Sequence, residues 1–499
     1  MEYILAIDHG TTGTRAILFD KHGNNKASAY KEFTQYFPKP GWVEHDPKDI
    51  WKSVLVTINA VLRQQPKAKI QSIGITNQRE TTIVWDKETS QPIYPAIVWQ
   101  CRRTAPRCEQ LKREKGLKTL IKKKTGLPID AYFSATKLEW ILKHVKNAAD
   151  KARKGQLLFG TTDTWILWKL TKGAVHATDY TNASRTMLFH IEKKQWDAFL
   201  LKKFHVPKIM LPEVKPSSTL FGYTAKHRFL PAGIPITGVA GDQQAALFGQ
   251  ACFEPGSIKN TYGTGCFMLL NTGQKRINSR YGLITTLGCD ADGQPVYILE
   301  GAIFIAGSAI QWLRDGLGLL ASAPESEKMA LKVKSNDGVY FVPALVGLGA
   351  PYWDQNARGC IYGITRGTTK EHMVRAALEA MCYQTKDVLD AMQKDSRLKI
   401  KALKVDGGAI ANNFICQYQA DLLNIKVIRP RNIEITALGA AYLAGLASGY
   451  WKSSKDIQSI WKLDRNFKPS LNPKKAKKYY QDWQQTIQRT LSTKKHYHD

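Results

Sequence analysis

"GVAGDQQAALFG" (residues 238–249) is the stretch whose reading decides the fold. An apolar run, Ile234 to Ala240, leads through Gly241 into a carboxylate, Asp242. Two glutamines and a helical pattern of small residues follow. A charge at the end of a buried strand has two explanations. Asp242 can cap a helix that starts at Gln243, because Asp is among the best N-cap residues. Alternatively, it stands at the strand end to do chemistry. This stretch alone leaves both open.

At 499 residues the chain is too long for one core, and two domains of roughly 250 residues each are expected. With 43% hydrophobic and 23% charged residues, enough apolar surface is available to fill them. The opening "MEYILAIDHG" holds a five-residue apolar run without a basic flank, too short for a secretory signal. No stretch approaches the ~20 apolar residues of a membrane span, so a cytoplasmic protein is expected. The eight cysteines (101, 108, 252, 266, 289, 360, 382, 416) include no C-x-x-C pair and no neighbouring His cluster. That pattern argues for reduced thiols rather than a zinc site or disulfides. The net charge of +30 is the one abnormal quantity. Such a balance suits nucleic acid or an anionic surface. The lysines, however, are spread through helical segments such as "LKREKGLKTLIKKKTG" (111–126) and "KNAADKARKGQ" (146–156). No nucleic-acid motif accompanies them, so a diffuse, solvated basic surface is expected.

Working outward from 238–249, "YILAID" and "RAILFD" flank "HGTTGT" and read as a hairpin. "IQSIGITNQ" (70–78) and "TTIVWD" (81–86) read as two more strands. Residues 106–150 turn helical and basic. "GQLLFGTTDTWILWKLTKG" (155–173) reads as a strand and an amphipathic helix with Trp165, Leu167, Trp168 and Leu170 on its apolar face. "GSIKNTYGTGCFMLLNTG" (256–273) repeats the opening pattern of strand, Gly/Thr turn, strand, which implies two related halves divided near residue 250. "LKVDGGAIANNFICQYQADLLNIKVIRP" (403–430) reads strand, Gly turn, helix, strand. "ALGAAYLAGLASG" (437–449) suits a tightly packed helix. In the tail, Tyr480, Trp483, Ile487 and Leu491 fall at helical spacing. No GxxxxGK[ST] loop is present, and "GTGCFM" and "GLGAPY" do not match GxGxxG.

Three glycine turns therefore close strands: 10–13, 263–265 and 407–408. Backbone N–H groups in such turns cradle anions, and threonine hydroxyls add donors. A carboxylate such as Asp8 repels phosphate unless Mg²⁺ lies between them. An Asp in an ordinary hairpin turn explains Asp8 equally well in isolation; three turns across both halves favour an ATPase-type cleft.

At this point the residues carry a resemblance. "YFSATKLEWILKH" (132–144) and "GCIYGITRGTTKEHMVRAALE" (359–379) are similar to the two signature patterns of the FGGY carbohydrate kinases, and the likeness runs from about residue 3 to about residue 490. The resemblance implies an α/β fold of two ribonuclease-H-like domains, of the actin and hexokinase type, with a cleft between them: an N-terminal domain at 1–250 and a C-terminal domain at 251–499. "NQRE" (77–80), "WQCRR" (99–103), "GDQQAALFGQ" (241–250) and "TYGTGCFMLLNTG" (261–273) most resemble the members that act on glycerol. ATP-dependent phosphorylation of glycerol to sn-glycerol 3-phosphate is the implied activity, with Mg²⁺ as cofactor.

Carried over onto this chain, the resemblance makes Arg79 and Glu80 hydroxyl contacts, although without it they read as a surface pair on a β turn. Trp99, Tyr132 and Phe267, each otherwise a core aromatic, would pack on the carbon side of the substrate. Asp242 would be the catalytic base and Gln243 would bond a terminal hydroxyl. Thr11, Thr12, Gly13 and Arg15 would hold the β- and γ-phosphates, Thr264 would belong to the second phosphate turn, and Asp8 would hold Mg²⁺ through water. Gly307, Gln311, Gly408 and Asn412 would flank the nucleoside, with ordinary helix starts as the alternative. A homodimer or homotetramer is implied, with glycerol and ATP as small-molecule partners, no nucleic acid and no membrane span. Some members carry a Gly-rich basic loop for fructose 1,6-bisphosphate. The matching stretch, "GYTAKHRFLPAGIPITG" (222–238), departs from it, and His227 within it reads as a solvated side chain. Three rivals remain: an actin-like or chaperone ATPase, a basic nucleic-acid-binding protein, and a kinase for another polyol or ketose.

Overall fold

The structure, a computed structural model, describes residues 1–492; residues 493–499 of the expected second half lie outside the described residues. The opening hairpin forms from β1 (Glu2–His9) and β2 (Gly13–Phe19), paired antiparallel across the Gly/Thr turn. β1 is buried along nearly its whole length, as an apolar strand covered on both faces must be. β3 (Asn25–Glu32) adds a largely exposed edge. α1 (Pro47–Gln64) starts where Asp46 accepts the Lys48 N–H at 2.8 Å, with Pro47 in the first turn, both ordinary helix-start signals. It leads to β4 (Lys69–Asn77), parallel to β1. After α2 (Ser134–His144) and α3 (Thr162–Leu170) come β5 (Ser218–Tyr223) and β6 (Pro235–Gly241). β6 runs parallel to β4 and leads into α4 (Asp242–Gly249). The strand order is β5-β6-β4-β1-β2-β3.

The second half repeats this plan. β7 (Ile258–Tyr262) and β8 (Cys266–Gly273) form the second hairpin. β9 (Ile284–Cys289) and β10 (Pro295–Ile303) extend it on one side. α5 (Gly307–Asp315) and the long α6 (Lys370–Ser396) precede β11 (Ala402–Asp406), α7 (Asn413–Leu423) and β12 (Lys426–Pro430). After α8 (Ile435–Ala447) come β13 (Leu463–Phe467) and α9 (Pro473–Thr490). The order is β9-β10-β8-β7-β11-β12-β13. Along β3-β2-β1-β4-β6 the pairings are antiparallel, antiparallel, parallel, parallel; along β10-β8-β7-β11-β12 they are the same. The molecule is thus a two-domain α/β fold in which one supersecondary plan occurs twice.

α8 belongs to the second half in sequence but packs on the first sheet, against β4, β6 and α4. Its composition permits the approach. A Cβ on Gly439 would lie 1.8 Å from the Ala245 carbonyl oxygen, and one on Gly74 of β4 would lie 2.2 Å from the Ala440 oxygen. The tail helix α9 buries Tyr480, Trp483 and Ile487 against α6, while Leu491 falls just past its end and is partly exposed.

Two local expectations are corrected. α3 is not amphipathic: every residue but Lys169 is buried, because the helix is enclosed between α1 and the sheet, with Trp165 Nε1 donating to the Pro47 carbonyl at 2.9 Å. The "TTIVWD" strand covers only Ile83–Asp86 and pairs with Leu157–Gly160, outside the main sheet.

Candidate active site

Register sets the geometry. At the C-terminal ends of three neighbouring parallel strands, Asp8 stands opposite Thr76, His9 opposite Asn77, and Asn77 opposite Gly241. Ligands of open α/β sheets gather at such ends. Asp8, the 77–80 segment and Asp242 are therefore brought to one edge. In the second sheet Thr261 stands opposite Asp406, and both turns beyond those strands face out from the same kind of edge.

α4 begins at Asp242 itself. Gly241 occupies the N-cap without a side-chain cap bond, and its N–H is held by Thr181 Oγ1 at 2.8 Å. Of the two readings left open for Asp242, the cap of a helix starting at Gln243 does not fit, since the helix starts one residue earlier. Its Oδ1 accepts the Gln243 N–H at 2.7 Å and lies 3.2 Å from Arg79 Nε. The Asp242 side chain is 29% exposed, whereas that of Arg79 is 2% exposed, so the carboxylate is the open end of the pair.

Arg79 and Glu80 are not a surface pair: both are buried. Glu80 has a φ of +62°, a strained value for a non-glycine residue. Its carbonyl is pinned by Ser134 Oγ at 3.0 Å, Thr82 Oγ1 at 3.1 Å and Lys137 Nζ at 3.4 Å. Its Oε1 accepts Arg185 Nε at 2.6 Å. The Arg79 guanidinium lies 6.0 Å from the centre of the Phe267 ring. Trp99 meets Tyr132 edge-on at 5.5 Å, and its Nε1 donates to Thr11 Oγ1 at 2.9 Å, so this aromatic wall touches the first Gly/Thr turn. Gln243 Oε1 accepts Lys259 Nζ at 2.6 Å. The structure thus gathers Arg79, Glu80, Trp99, Tyr132, Asp242, Gln243 and Phe267 around one edge.

On the phosphate side, Thr12 bonds Tyr30 across a 3.1 Å hydroxyl contact, and Arg15 pairs with Glu434. A Cβ on Gly13 would collide with the Tyr30 ring. Burial, reinforced by the charge of Asp242 and opposed by Arg15, pushes the Asp8 carboxyl up to about 7. Thr264 forms the second turn. Its carbonyl accepts the Ala306 N–H and the Ser308 hydroxyl, both at 2.8 Å, and the Gly307 N–H reaches Gly263 at 3.0 Å. The third turn abuts the second: Gly407, at φ +95°, leaves no room for a Cβ, which would lie 2.4 Å from the Tyr262 carbonyl oxygen. The helix-start alternative holds for Gly307, the first residue of α5, and for Asn412, whose side chain accepts the Ile415 N–H at 3.1 Å at the start of α7. It holds for Gly408 as the first residue of a short 3₁₀ helix and fails for Gln311, which is exposed within α5.

Four charged residues escaped the sequence reading. Glu300 grips Arg79, and Arg185 grips Glu80. Lys259 links Gln243 to Thr261 Oγ1 at 2.7 Å, and Thr261 in turn donates to Asp406 at 2.5 Å. Burial pulls Lys259 down to about 8, against the opposing pull of Asp406 and Asp242. The available signal was a lone charge within an apolar strand, as in "PVYILEGAI" (295–303), since a buried charge requires a partner. His227 is corrected too: it is half-buried, bonds the Leu170 carbonyl at 3.0 Å and packs edge-on against Trp51 at 5.4 Å. It occupies the groove beside α3 rather than open solvent. All eight cysteines are free thiols. Among the described residues, no helix is long and apolar enough to cross a membrane, and no group of three or more His, Cys, Asp or Glu is placed to hold a metal ion.

Comparison with known proteins agrees with this architecture. Residues 3–249 match the N-terminal domain of the FGGY family of carbohydrate kinases, and residues 258–448 match its C-terminal domain. The chain is 57% identical to Glycerol kinase 2 of Thermotoga maritima, over 99% of this chain and 100% of that protein. It is also 57% identical to glycerol kinase of Bacillus subtilis, over 99% of each. The crystal structure of Plasmodium falciparum glycerol kinase with ADP superposes with a TM-score of 0.92 at 38% identity, covering 99% of both chains. The chain belongs to the FGGY family of carbohydrate kinases.

Proposed function

We propose that this chain transfers the γ-phosphoryl group of ATP to a primary hydroxyl of glycerol, giving sn-glycerol 3-phosphate and ADP. One observation carries the reading: Arg79, Asp242, Gln243 and the aromatic groups Trp99, Tyr132 and Phe267 converge at strand ends that also bear the first phosphate turn. An actin-like or chaperone ATPase needs the turns but not this polar and aromatic set. The curated relatives over the full chain are kinases named for glycerol.

In this reading Arg79 donates to one substrate hydroxyl and Glu80 accepts from two. The aromatic wall packs on the carbon chain. Asp242 accepts the proton of the attacking hydroxyl as its oxygen bonds to the γ-phosphorus and the bond to the ADP oxygen breaks. Phosphoryl transfer asks a protein chiefly for such positioning, for charge neutralisation and for one proton acceptor. Thr11, Thr12, Gly13, Arg15 and Thr264 bind the phosphates, and the 307–311 and 408–412 segments receive the nucleoside. Asp8 supplies hard oxygen donors, which suit Mg²⁺ held through water. When bound, the ion would neutralise charge on the transferring phosphates. On the family resemblance we place the enzyme in the cytoplasm as a homodimer or homotetramer.

A substrate panel with ADP release as readout tests the reading. A site that bonds each hydroxyl rejects an analogue lacking one by on the order of 10⁴. Glycerol should therefore turn over and 1,2-propanediol, which lacks a terminal hydroxyl, should not; pentuloses should fail on size, being longer than a three-carbon site admits. Equal turnover of any of these with glycerol would overturn the substrate assignment, and ADP release independent of any polyol would favour the ATPase rival.

A further inference from the structure

The charges beneath the polyol site form a closed set that spans both halves. Glu300, on β10 of the second sheet, accepts Arg79 Nη1 at 2.6 Å and Nη2 at 3.0 Å, a two-point grip. Its Oε1 also lies 3.2 Å from Arg185 Nη2. Arg185 holds Glu80 through Nε, and Arg79 reaches Asp242 through its own Nε. Two cations and two anions (Arg79, Arg185, Glu80, Glu300) are each no more than 3% exposed. Glu300 stands opposite Leu269 in the ladder, two residues from Ala302, the partner of Phe267, so it shares a face with the ring beside Arg79.

We propose that Glu300 is a positioning residue for the polyol site: its two-point grip on Arg79 and its ion pair with Arg185 fix where Arg79 and Glu80 meet the substrate and leave Asp242 free to accept a proton. The inference rests on the function proposed above. With both Nη groups of Arg79 engaged by Glu300, Asp242 receives only the single Nε. Without Glu300 the Arg79 fork has Asp242 as its nearest remaining open carboxylate, and a forked pair there would occupy the acceptor that the reacting hydroxyl needs. Burial alone would raise the Glu300 carboxyl; Arg185 and Arg79 outweigh it and hold the group down at about 2, so it is an anion at every working pH. A nearly isosteric hydrophobic network would suffice for packing, whereas a carboxylate that grips the Arg79 fork at two points sets its angle.

The test is steady-state kinetics on Glu300→Gln and Glu300→Asp alongside the unaltered enzyme, with thermal melts of each. Gln removes the charge at constant size, and Asp keeps the charge but withdraws it by one methylene. The unaltered enzyme is assayed first with the polyol panel, so failure of the substrate reading shows there and leaves the variants to be measured with whichever polyol it phosphorylates. The expected result is a polyol KM raised about tenfold or more with a lower kcat in both variants, while the KM for ATP stays within about threefold. The proposal falls if a folded variant keeps its polyol KM within about twofold of normal, or if both KM values rise by the same factor. It also falls if neither variant folds, since the carboxylate would then be a folding element.

Discussion

Arg79 Nε lies 3.2 Å from Asp242 Oδ1, across the gap between the ends of β4 and β6. The two residues are far apart in sequence, and each sits one or two positions past a buried strand. Parallel pairing of β4 with β6 makes them neighbours. The charge that interrupts the apolar run at 234–241 thus has a specific partner, and that partner is itself fixed from below by Glu300.

Gly408 offers a test of the proposed nucleotide site that leaves the fold untouched. A Cβ there would meet nothing within 4 Å, so Gly408→Ala should melt as the unaltered enzyme does. If the nucleoside lies against this turn, the added methyl stands in its place, and the KM for ATP should rise about tenfold while the glycerol KM holds. An unchanged ATP KM would remove Gly408 from the nucleotide site.

Gly439 does the opposite. A Cβ placed 1.8 Å from the Ala245 carbonyl oxygen meets backbone that cannot step aside. Gly439→Ala should push α8 off α4 and cost about 3 kcal/mol or more, read as a lower Tm. Because α4 carries Asp242, kcat should fall with it. A variant of normal Tm would show that α8 can shift without cost.

Much of this was legible because it is local. Both hairpins, the 402–430 unit and the packed helix at 435–447 each announce themselves within a short window. The α3 misreading has a physical cause: periodicity marks one apolar face, but Trp165 and Trp168 are large enough to engage neighbours on more than one side. The alternative reading of Asp242 as a cap is excluded by a one-residue difference in where the helix starts, which composition does not resolve. Glu300 lies 221 residues from Arg79, and no local pattern connects them. The site residues were reached through long motifs rather than through pattern, because a polar contact at a strand end has no periodicity.

The tail docks through a titratable group. Asp387 of α6 accepts Tyr480 Oη at 2.6 Å and Trp483 Nε1 at 2.9 Å from α9. Burial, opposed by those two donors, pushes its carboxyl from 3.8 up to about 7. The folded state therefore keeps a proton that the unfolded chain has lost, so this group's contribution to stability falls as pH rises from about 4 to about 7, then levels off. Asp387→Asn cannot ionise. Its stability relative to the unaltered protein should grow across that window by a few kcal/mol, since each tenfold difference in proton affinity between the two states is worth about 1.4 kcal/mol. Denaturant melts of both proteins at pH values spanning the window measure this, and a difference that stays constant would show that Asp387 does not titrate there.

The sharpest prediction concerns Asp242. Asn at this position retains the size and the acceptor oxygen that holds the Gln243 N–H. Gly241 and not Asp242 is the N-cap, and Asn keeps the single bond to the first-turn Gln243 N–H. Asp242→Asn should therefore melt close to the unaltered enzyme, and even Asp242→Ala should cost less than the ~1 kcal/mol of a lost cap. What Asn removes is the proton acceptor and the charge facing Arg79. Loss of a general base lowers the rate about 10²- to 10⁴-fold, roughly 3 to 5 kcal/mol in barrier. Loss of orientation for Arg79 alone would instead raise the glycerol KM and spare kcat, if Arg79 contacts the substrate before and during transfer alike as proposed. Measuring kcat, glycerol KM and Tm on both variants separates the two. An Asp242→Asn enzyme that is folded, shows a raised glycerol KM and yet keeps more than about a tenth of its kcat would assign Asp242 to holding Arg79 and would leave the proton to another acceptor.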